Sequence, residues 1–517
     1  MVKTNHCARR PVRRAVPIMF FMVCCVSLGG LGNNFAAERD GAADTNISAA
    51  SKDEKAVFDV TFKDGRHANR KYASVPWKKF LKTDPGLKLC GTVKARTSDQ
   101  ITDSRWSIGA ETLDRDYADF DVFKEYIGLL GAKRARFFSG WAKTEKEKGR
   151  YDFAWLDRQI RETAAMGVKP WICLSYGNPI YRSEITLGIK LDNVVNDPEA
   201  FAAWLRYCRE SVKRYKGTVT EWEIWNEPFH QGEAYKKMVV ETAKAIRAEQ
   251  PGATVLVTAI TDDDRDLVIN ELRKPGNGVS LVDYFVIHPY VQNPDTTYSG
   301  AMELREKLRK INPGWDIFQG EAGCPSQLEY AHASANIEWT EYSQAKWLLR
   351  RMAGDAAHSI NSSIFTIIDL QYTFMLQSFG LIRSSTLKEF VYLRPSFYAV
   401  RNVMGFFDSE VKPQGITRET LEVKKHFDPR DGAKTRQTAV ARFKKDGKDV
   451  YLAWFCDRRP DDTLGFDRVE LRLPGAAFKD PVWCDLVTGR VYDGIDFADF
   501  PIWDSPVMIC ERESVLR

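Results

Sequence analysis

At 517 residues the chain is longer than one ordinary domain, and 44% of it is apolar, which excludes disorder and supplies a sizeable core. The formal charge of +5 is no sign of an anionic partner, because Lys3, Arg9, Arg10, Arg13 and Arg14 all lie in the first 37 residues, where no acid offsets them. Without those five the chain is formally neutral, so neither nucleic acid nor a membrane surface is expected as a partner.

In chain order, the first element reads as a targeting segment. A basic stretch precedes an apolar run at 15–31, and small residues follow at Ala36 and Ala37. The run is short of the ~20 residues a membrane-spanning helix needs, so an export signal over 1–37 and a secreted or periplasmic protein are expected. The paired arginines lack the rest of a twin-arginine motif, and Cys24 and Cys25 lie in the run without a lipobox. Seven cysteines follow this segment, scattered and without C-x-x-C pairs or histidine spacing. They predict no metal site, and most read as small buried hydrophobes, at least one of them unpaired. Residues 38–104 read as a polar linker followed by strand, and a strand at 57–62 is expected to return to a C-terminal sheet.

From 105 to 408, short apolar runs alternate with longer amphipathic ones, the pattern of βα units on a parallel sheet. Eight strands are predicted, at 105–111, 133–138, 169–176, 220–227, 253–260, 282–288, 316–321 and 362–369. Helices are predicted at 119–130, 154–166, 198–215, 234–249, 340–357 and 394–404, and the acidic run 262–266 should open another. Eight units over about 300 residues predict an α/β fold, a (β/α)8 TIM barrel. The rival, an open doubly wound sheet, wants a Gly-rich phosphate turn after the first strand, and the sequence has none there. In 409–517, apolar runs at 438–443, 450–455, 468–473 and 482–486 are separated by turn signals such as Lys445-Asp446-Gly447 and Leu473-Pro474-Gly475. They predict a C-terminal antiparallel β-sandwich domain.

A glutamate that ends a strand of such a barrel lies on its catalytic face. The fourth strand runs into Glu223-Ile224-Trp225-Asn226-Glu227-Pro228 and the seventh into Phe318-Gln319-Gly320-Glu321-Ala322-Gly323. Glu227 and Glu321 are 94 residues apart, the span of three βα units at ~31 residues each. Cleaving a glycosidic bond needs two carboxyl groups. One protonates the leaving group, and the other supports the oxocarbenium-like centre from the opposite side.

These segments resemble the clan A retaining glycoside hydrolases, whose fourth strand ends in Asn-Glu. The resemblance implies Glu227 as acid/base, Glu321 as nucleophile, and Asn226 on the hydroxyl beside the anomeric carbon. Phe285-Val286-Ile287-His288-Pro289-Tyr290 resembles the sixth-strand end, where His288 and Tyr290 would approach the nucleophile. Arg136 matches an arginine that keeps the nucleophile ionised. The stretch Lys148-Gly149-Arg150-Tyr151-Asp152-Phe153 looks like that of families 39 and 42, and a family 39-like member is favoured. One departure stands out: many clan A enzymes place a tryptophan under the sugar at the eighth strand, and this chain has Phe365. Trp222 and Trp225 stand between core or wall and sugar platform, Glu223 is expected to pair with Arg134 or Arg136, and Glu111 stands between a structural and a pocket role. The implied activity is hydrolysis of O-glycosidic bonds in plant or microbial oligosaccharides or polysaccharides, with no cofactor or metal. Two alternatives stay open. A carbohydrate-binding protein without catalysis would suit Phe365 but not the paired glutamates, and a barrel enzyme of phosphate or metal chemistry would need a ligand cluster.

Overall fold

A computed structural model describes residues 74–516. The signal expected over 1–37, the linker and the strand expected at 57–62 lie outside the described residues. Among the described residues no helix is long and apolar enough to cross a membrane.

The first strand among the described residues, β1 (Lys88–Thr92), belongs to a sheet outside the barrel. Eight parallel strands then close in chain order: β2 (Trp106–Gly109), β3 (Arg134–Phe138), β4 (Lys169–Leu174), β5 (Glu221–Ile224), β6 (Thr254–Thr258), β7 (Tyr284–Ile287), β8 (Asp316–Ala322) and β9 (Asn361–Ile364). The pairing of β2 with both β3 and β9 seals the barrel. Its strands read as apolar runs because both faces are covered, by helices outside and by a plug of side chains inside. Trp171, Leu256, Val286 and Phe318 form part of that plug, the Trp171 and Phe318 rings 5.2 Å apart.

The helices of the outer ring start where sequence chemistry places them. In Pro198–Tyr215 the Asp197 side chain accepts from Ala200 N at 2.9 Å, proline opens the first turn, and Phe201, Trp204, Cys208, Val212 and Tyr215 recur on the buried face. Thr261 caps Asp262–Leu272, whose first turn carries Asp262, Asp263 and Asp264 at the positive end of the dipole.

After β9 come two small hairpins, β10 (Leu370–Gln371) with β11 (Leu376–Gln377), and β12 (Ile382–Ser384) with β13 (Phe390–Leu393). The C-terminal part adds β14 (Lys412–Lys425), β15 (Thr435–Lys445), β16 (Lys448–Phe455), β17 (Asp467–Val469), β18 (Pro481–Asp485), β19 (Arg490–Asp493), β20 (Phe500–Ile502) and β21 (Val507–Glu511). Together with β1 they form one antiparallel sheet in the order β1-β19-β18-β21-β16-β15-β14-β17-β20. Strand β14 pairs with β15 over most of its 14 residues and with β17 at Val423 and Lys425. The far end then folds back over the middle: Trp483 Nε1 in β18 donates to Pro501 O in β20 at 3.0 Å, which makes a sandwich of the sheet. The run expected at 468–473 shortens to β17. The seven cysteines of the described part are free thiols, all buried but the half-buried Cys90.

The helix Glu341–Ala357 joins barrel and sandwich through the buried cations Lys346 and Arg350. Lys346 Nζ donates to Thr463 O and to Asp504, both at 2.6 Å. Arg350 bridges Asp295 at 2.7 Å and Arg458 O at 2.8 Å, while Trp454 Nε1 donates to Asp295 at 3.0 Å.

Candidate active site

At the C-terminal mouth of the barrel, four strands and the turns that follow them deliver the candidate side chains. Arg136 comes from β3, Asn226 and Glu227 from the turn after β5, His288 from the end of β7 and Glu321 from β8. One oxygen of each of Glu227 and Glu321 and one ring nitrogen of His288 lie within 4.8 Å of one another. His288 Nδ1 is 2.8 Å from Glu227 Oε1 and 3.7 Å from Glu321 Oε2.

The Arg136 guanidinium is wholly buried and organises the site from below. Its Nη1 donates to Glu321 Oε1, and its Nε and Nη2 clamp both oxygens of Glu223 at 2.8 and 2.9 Å. Nη2 also donates to Asn226 Oδ1 at 2.8 Å, and Nη1 reaches Glu111 Oε1 at 3.3 Å. Arg134 turns instead to Glu221, at 2.9 Å. Tyr290 donates its hydroxyl to Glu321 Oε2 at 2.8 Å.

These partners set the charge of the nucleophile candidate. Burial pushes the Glu321 carboxyl up, but His288, Arg136 and the Tyr290 hydroxyl outweigh it and hold the group below the usual carboxylate range. For Glu111, burial prevails over Arg136, and with Glu321 adding to the upward push the carboxyl reaches about 7. Burial works against a charged His288, yet Glu321 and Glu227 together raise it above an ordinary imidazole. Gly320 makes room for this packing. A Cβ there would stand 2.4 Å from Val286 Cγ1 and 3.1 Å from His288 Nε2.

The turn that carries Glu227 is strained. Trp225 has φ 61° and Glu227 φ 49°, the left-handed region that side chains with a Cβ avoid. The chain therefore leaves the strand's alternation after Ile224, and Trp225 points into the wall. It is fully buried between Tyr176 and Trp204, and its indole donates to Ile189 O at 2.8 Å. Of the two readings open for Trp225 the structure shows the wall, which corrects its candidacy for substrate contact.

A cleft of about 250 Å³ opens over the two glutamates. Of the expected residues, Asn226, Glu227, Tyr290, Glu321 and Phe365 line it. Arg136 and His288, candidates at the same strand ends, do not line the cleft; they stand behind the carboxylates and hold them. Phe365 packs edge-on against Tyr290 and Phe379 at the position considered for a stacking tryptophan. Arg115, Tyr176, His332, Tyr372 and Phe379 also line the cleft, and sequence reading did not find them. Tyr176 was at hand as the last residue of the third predicted strand. For Tyr372 and Phe379 the available signal was the unusual length of the segment after β9. Glu227, His288 and Glu321 have the mutual spacing of metal ligands, the one such group among the described residues. The guanidinium held on Glu321 already supplies positive charge there and opposes a second cation.

No family model matches the chain, and no curated protein does. Among solved structures, it is similar to a family 39 glycoside hydrolase from the gut symbiont Bacteroides cellulosilyticus WH2, with 20% identity over 81% of this chain and 83% of the other, at a TM-score of 0.60. Weaker likenesses include a β-galactosidase from the psychrophilic Marinomonas ef1 (10% identity, 58% of each chain, TM-score 0.42). Another is the exo-β-1,4-mannosidase Op5Man5 from Opitutaceae bacterium strain TAV5 (14% identity, 61% of each chain, TM-score 0.41). The fold predicted from sequence, a (β/α)8 barrel with an antiparallel β-sandwich, is therefore the fold this chain shares with a family 39 glycoside hydrolase.

Proposed function

We propose that this protein is an exported glycoside hydrolase that cleaves O-glycosidic bonds of oligosaccharides or polysaccharides with retention of configuration. The observation that carries the reading is the pair of glutamates at one cleft, one oxygen of each within 4.8 Å, in opposite surroundings. In retaining enzymes the carboxyl groups stand about 5–5.5 Å apart, whereas inverting ones leave room for a water at about 6.5–9.5 Å. Glu321, held ionised by Arg136 and Tyr290, attacks the anomeric carbon. Glu227 gives its proton to the departing oxygen as the bond to it breaks. A water then enters, loses a proton to Glu227 and displaces Glu321 from the sugar, which regenerates both carboxyl groups. His288 orients Glu227 in each step, and Asn226, tied to Arg136 and to the Tyr176 hydroxyl at 2.8 Å each, is poised for a sugar hydroxyl. Export is supported by the basic and apolar run of the first 37 residues.

The test is chromophore release from a panel of aryl glycosides by wild type beside Glu321→Gln, with proton NMR of the first anomer formed. Turnover with retained configuration that Glu321→Gln abolishes is expected. Inverted product would overturn the double displacement, and no turnover by wild type would leave the carbohydrate-binding alternative.

A further inference from the structure

The cleft over the glutamates is walled in part by a hairpin and a loop that take no part in the double displacement. The hairpin β10–β11 brings Tyr372 and Gln377, and the loop after β8 brings His332, all three lining the cleft. Phe374 stands at the hairpin tip, 65% exposed. The rings form a row that leads out of the cleft: Tyr372 lies 4.7 Å from His332, and the exposed His332 stacks on Phe374 at 5.6 Å and 23°. Tyr372 N donates to Met375 O at 2.9 Å, which closes the turn with Thr373 and Phe374 at its tip. Tips of this kind favour Asn, Asp and Gly, so an outward phenyl ring does nothing for the turn itself. The row is held from both ends. Gln371 N donates to Tyr117 O at 2.7 Å. The buried Glu329 accepts from Ser378 N at 2.5 Å and from Ser378 Oγ at 2.6 Å, which ties the loop to the hairpin.

Two further features describe the occupant. Gln377 lines the cleft while only 4% exposed, and its amide oxygen has no hydrogen-bond partner among the described residues. An unpaired buried amide oxygen costs about 1–3 kcal/mol, and a ligand hydroxyl that donates to it removes that penalty. Residues 330–337 and 370–379 contain no Asp, Glu, Lys or Arg, in a chain that is 28% charged. Burial holds His332 below an ordinary imidazole, so the row is neutral at neutral pH. Arg115, the one Lys or Arg among the residues that line the cleft, is paired with Asp114 at 3.3 Å. Flat rings beside an amide match a molecule with apolar C–H faces and hydroxyls around its edge, which is a sugar; its C–H groups meet the negative face of the ring. An apolar occupant would leave the amide unpaired. We infer that Tyr372, His332, Phe374 and Gln377 form a second sugar subsite, for an uncharged unit next along the chain from the one held at the glutamates, so that the substrate is an oligosaccharide or polysaccharide of neutral sugars. Which bond is cut rests on the hydrolase reading; the sugar site does not.

Two measurements separate the two claims. The first is calorimetry of cellotetraose, mannotetraose, xylotetraose and tetragalacturonic acid with Glu321→Gln, which removes the proposed nucleophile, and with Glu321→Gln/Phe374→Ala. A neutral tetraose that binds the first, and binds the second about three- to tenfold more weakly, is expected from the loss of one ring contact. Phe374→Trp in the same background should bind as the parent does, which separates lost stacking from a disturbed fold. Gln377→Met, which keeps the length of the side chain, should weaken the tetraose without lowering the Tm, because the amide oxygen it removes makes no bond in the protein. Unchanged binding there overturns the role of Gln377. No neutral tetraose bound, equal binding by parent and alanine variant, or tighter binding of tetragalacturonic acid overturns the subsite. The second measurement compares kcat/KM on that tetraose with kcat/KM on the glycosyl fluoride of the same sugar, which fills one unit and has a leaving group of a single atom. Phe374→Ala should lower the first about three- to tenfold more than the second. Equal losses overturn the reading of a second unit. Failure to turn over any of these substrates defeats the hydrolase reading, while the calorimetry still decides the sugar site.

Discussion

The two glutamates share a cleft but not a setting. Glu321, with 7% of its side chain exposed, is fixed by Arg136 and Tyr290, and Arg136 is itself fixed by Glu223 and Asn226. Glu227, with 23% exposed, meets His288 and the open cleft, on a turn bent into the left-handed region. A nucleophile gains from a rigid position and a permanent charge, so a buried, over-determined cage serves it. An acid/base must hand protons to a leaving group and take them from water, so it needs access and one orienting partner. The difference between the cages supports the proposed roles, Glu321 as nucleophile and Glu227 as acid/base.

Substitutions at the pair test that assignment most directly. Glu321→Ala should lower kcat by roughly 10⁴-fold or more on every glycoside, with azide restoring turnover to the inverted glycosyl azide. Glu227→Ala should cost about 10²–10⁴-fold on poor leaving groups and far less on activated ones, with azide giving the retained product. If the two azide products exchange, the roles are reversed.

The cage is tested by stability. Arg136→Met leaves Glu223 and Glu321 buried without their cation and should cost about 3–5 kcal/mol in urea unfolding. A loss below about 1 kcal/mol would show that the arginine does not organise the site. Glu111→Gln sharpens the same point through pH. The wild-type carboxyl rises from 4.5 to about 7 in the fold, so between those values the folded chain keeps a proton that the unfolded chain loses. Wild-type stability therefore declines with rising pH relative to the amide variant, by no more than about 3 kcal/mol, and the gap should be complete above about 7. Parallel stability curves for the two proteins would remove the proton from Glu111. Gly320→Ala, which pushes a methyl group against Val286 and His288, should cost about 1–3 kcal/mol and lower turnover through His288.

The barrel was legible because its strands are short, buried on both faces and therefore continuously apolar, as in Pro170-Trp171-Ile172-Cys173-Leu174. Strand β14 was not, since its pattern is largely exposed and charged and its 14 residues are held by neighbours instead of by burial. The place of both glutamates at one cleft was legible from strand-end geometry and spacing. Trp225 stayed between wall and platform in the sequence, because strand alternation does not carry past Ile224, where φ turns positive. Arg136 and His288 were found from strand-end position, but whether either faces the cleft was not legible. Sequence spacing gives the strand end, and only the packed barrel shows which side chain lies in front.

The pairing of β1 with β19 sets the order in which this molecule can be completed. Leu89 faces Tyr492 and Thr92 faces Arg490, about 400 residues later, and Lys94 N donates to Val515 O at 3.0 Å. During synthesis β1 emerges long before β19 and has no edge to join until the roughly 400 residues between them have been made. The barrel between them has all its own strands well before then. Closure of the accessory sheet is thus a late, long-range event, slow by the entropy of the loop it must close. Chains halted before Arg490 leave both the 88–92 segment and the β18 edge without their partner, a ready template for pairing between molecules. Ribosome-bound chains of increasing length, challenged with protease, should show the 88–92 region becoming protected only once β19 has left the exit tunnel.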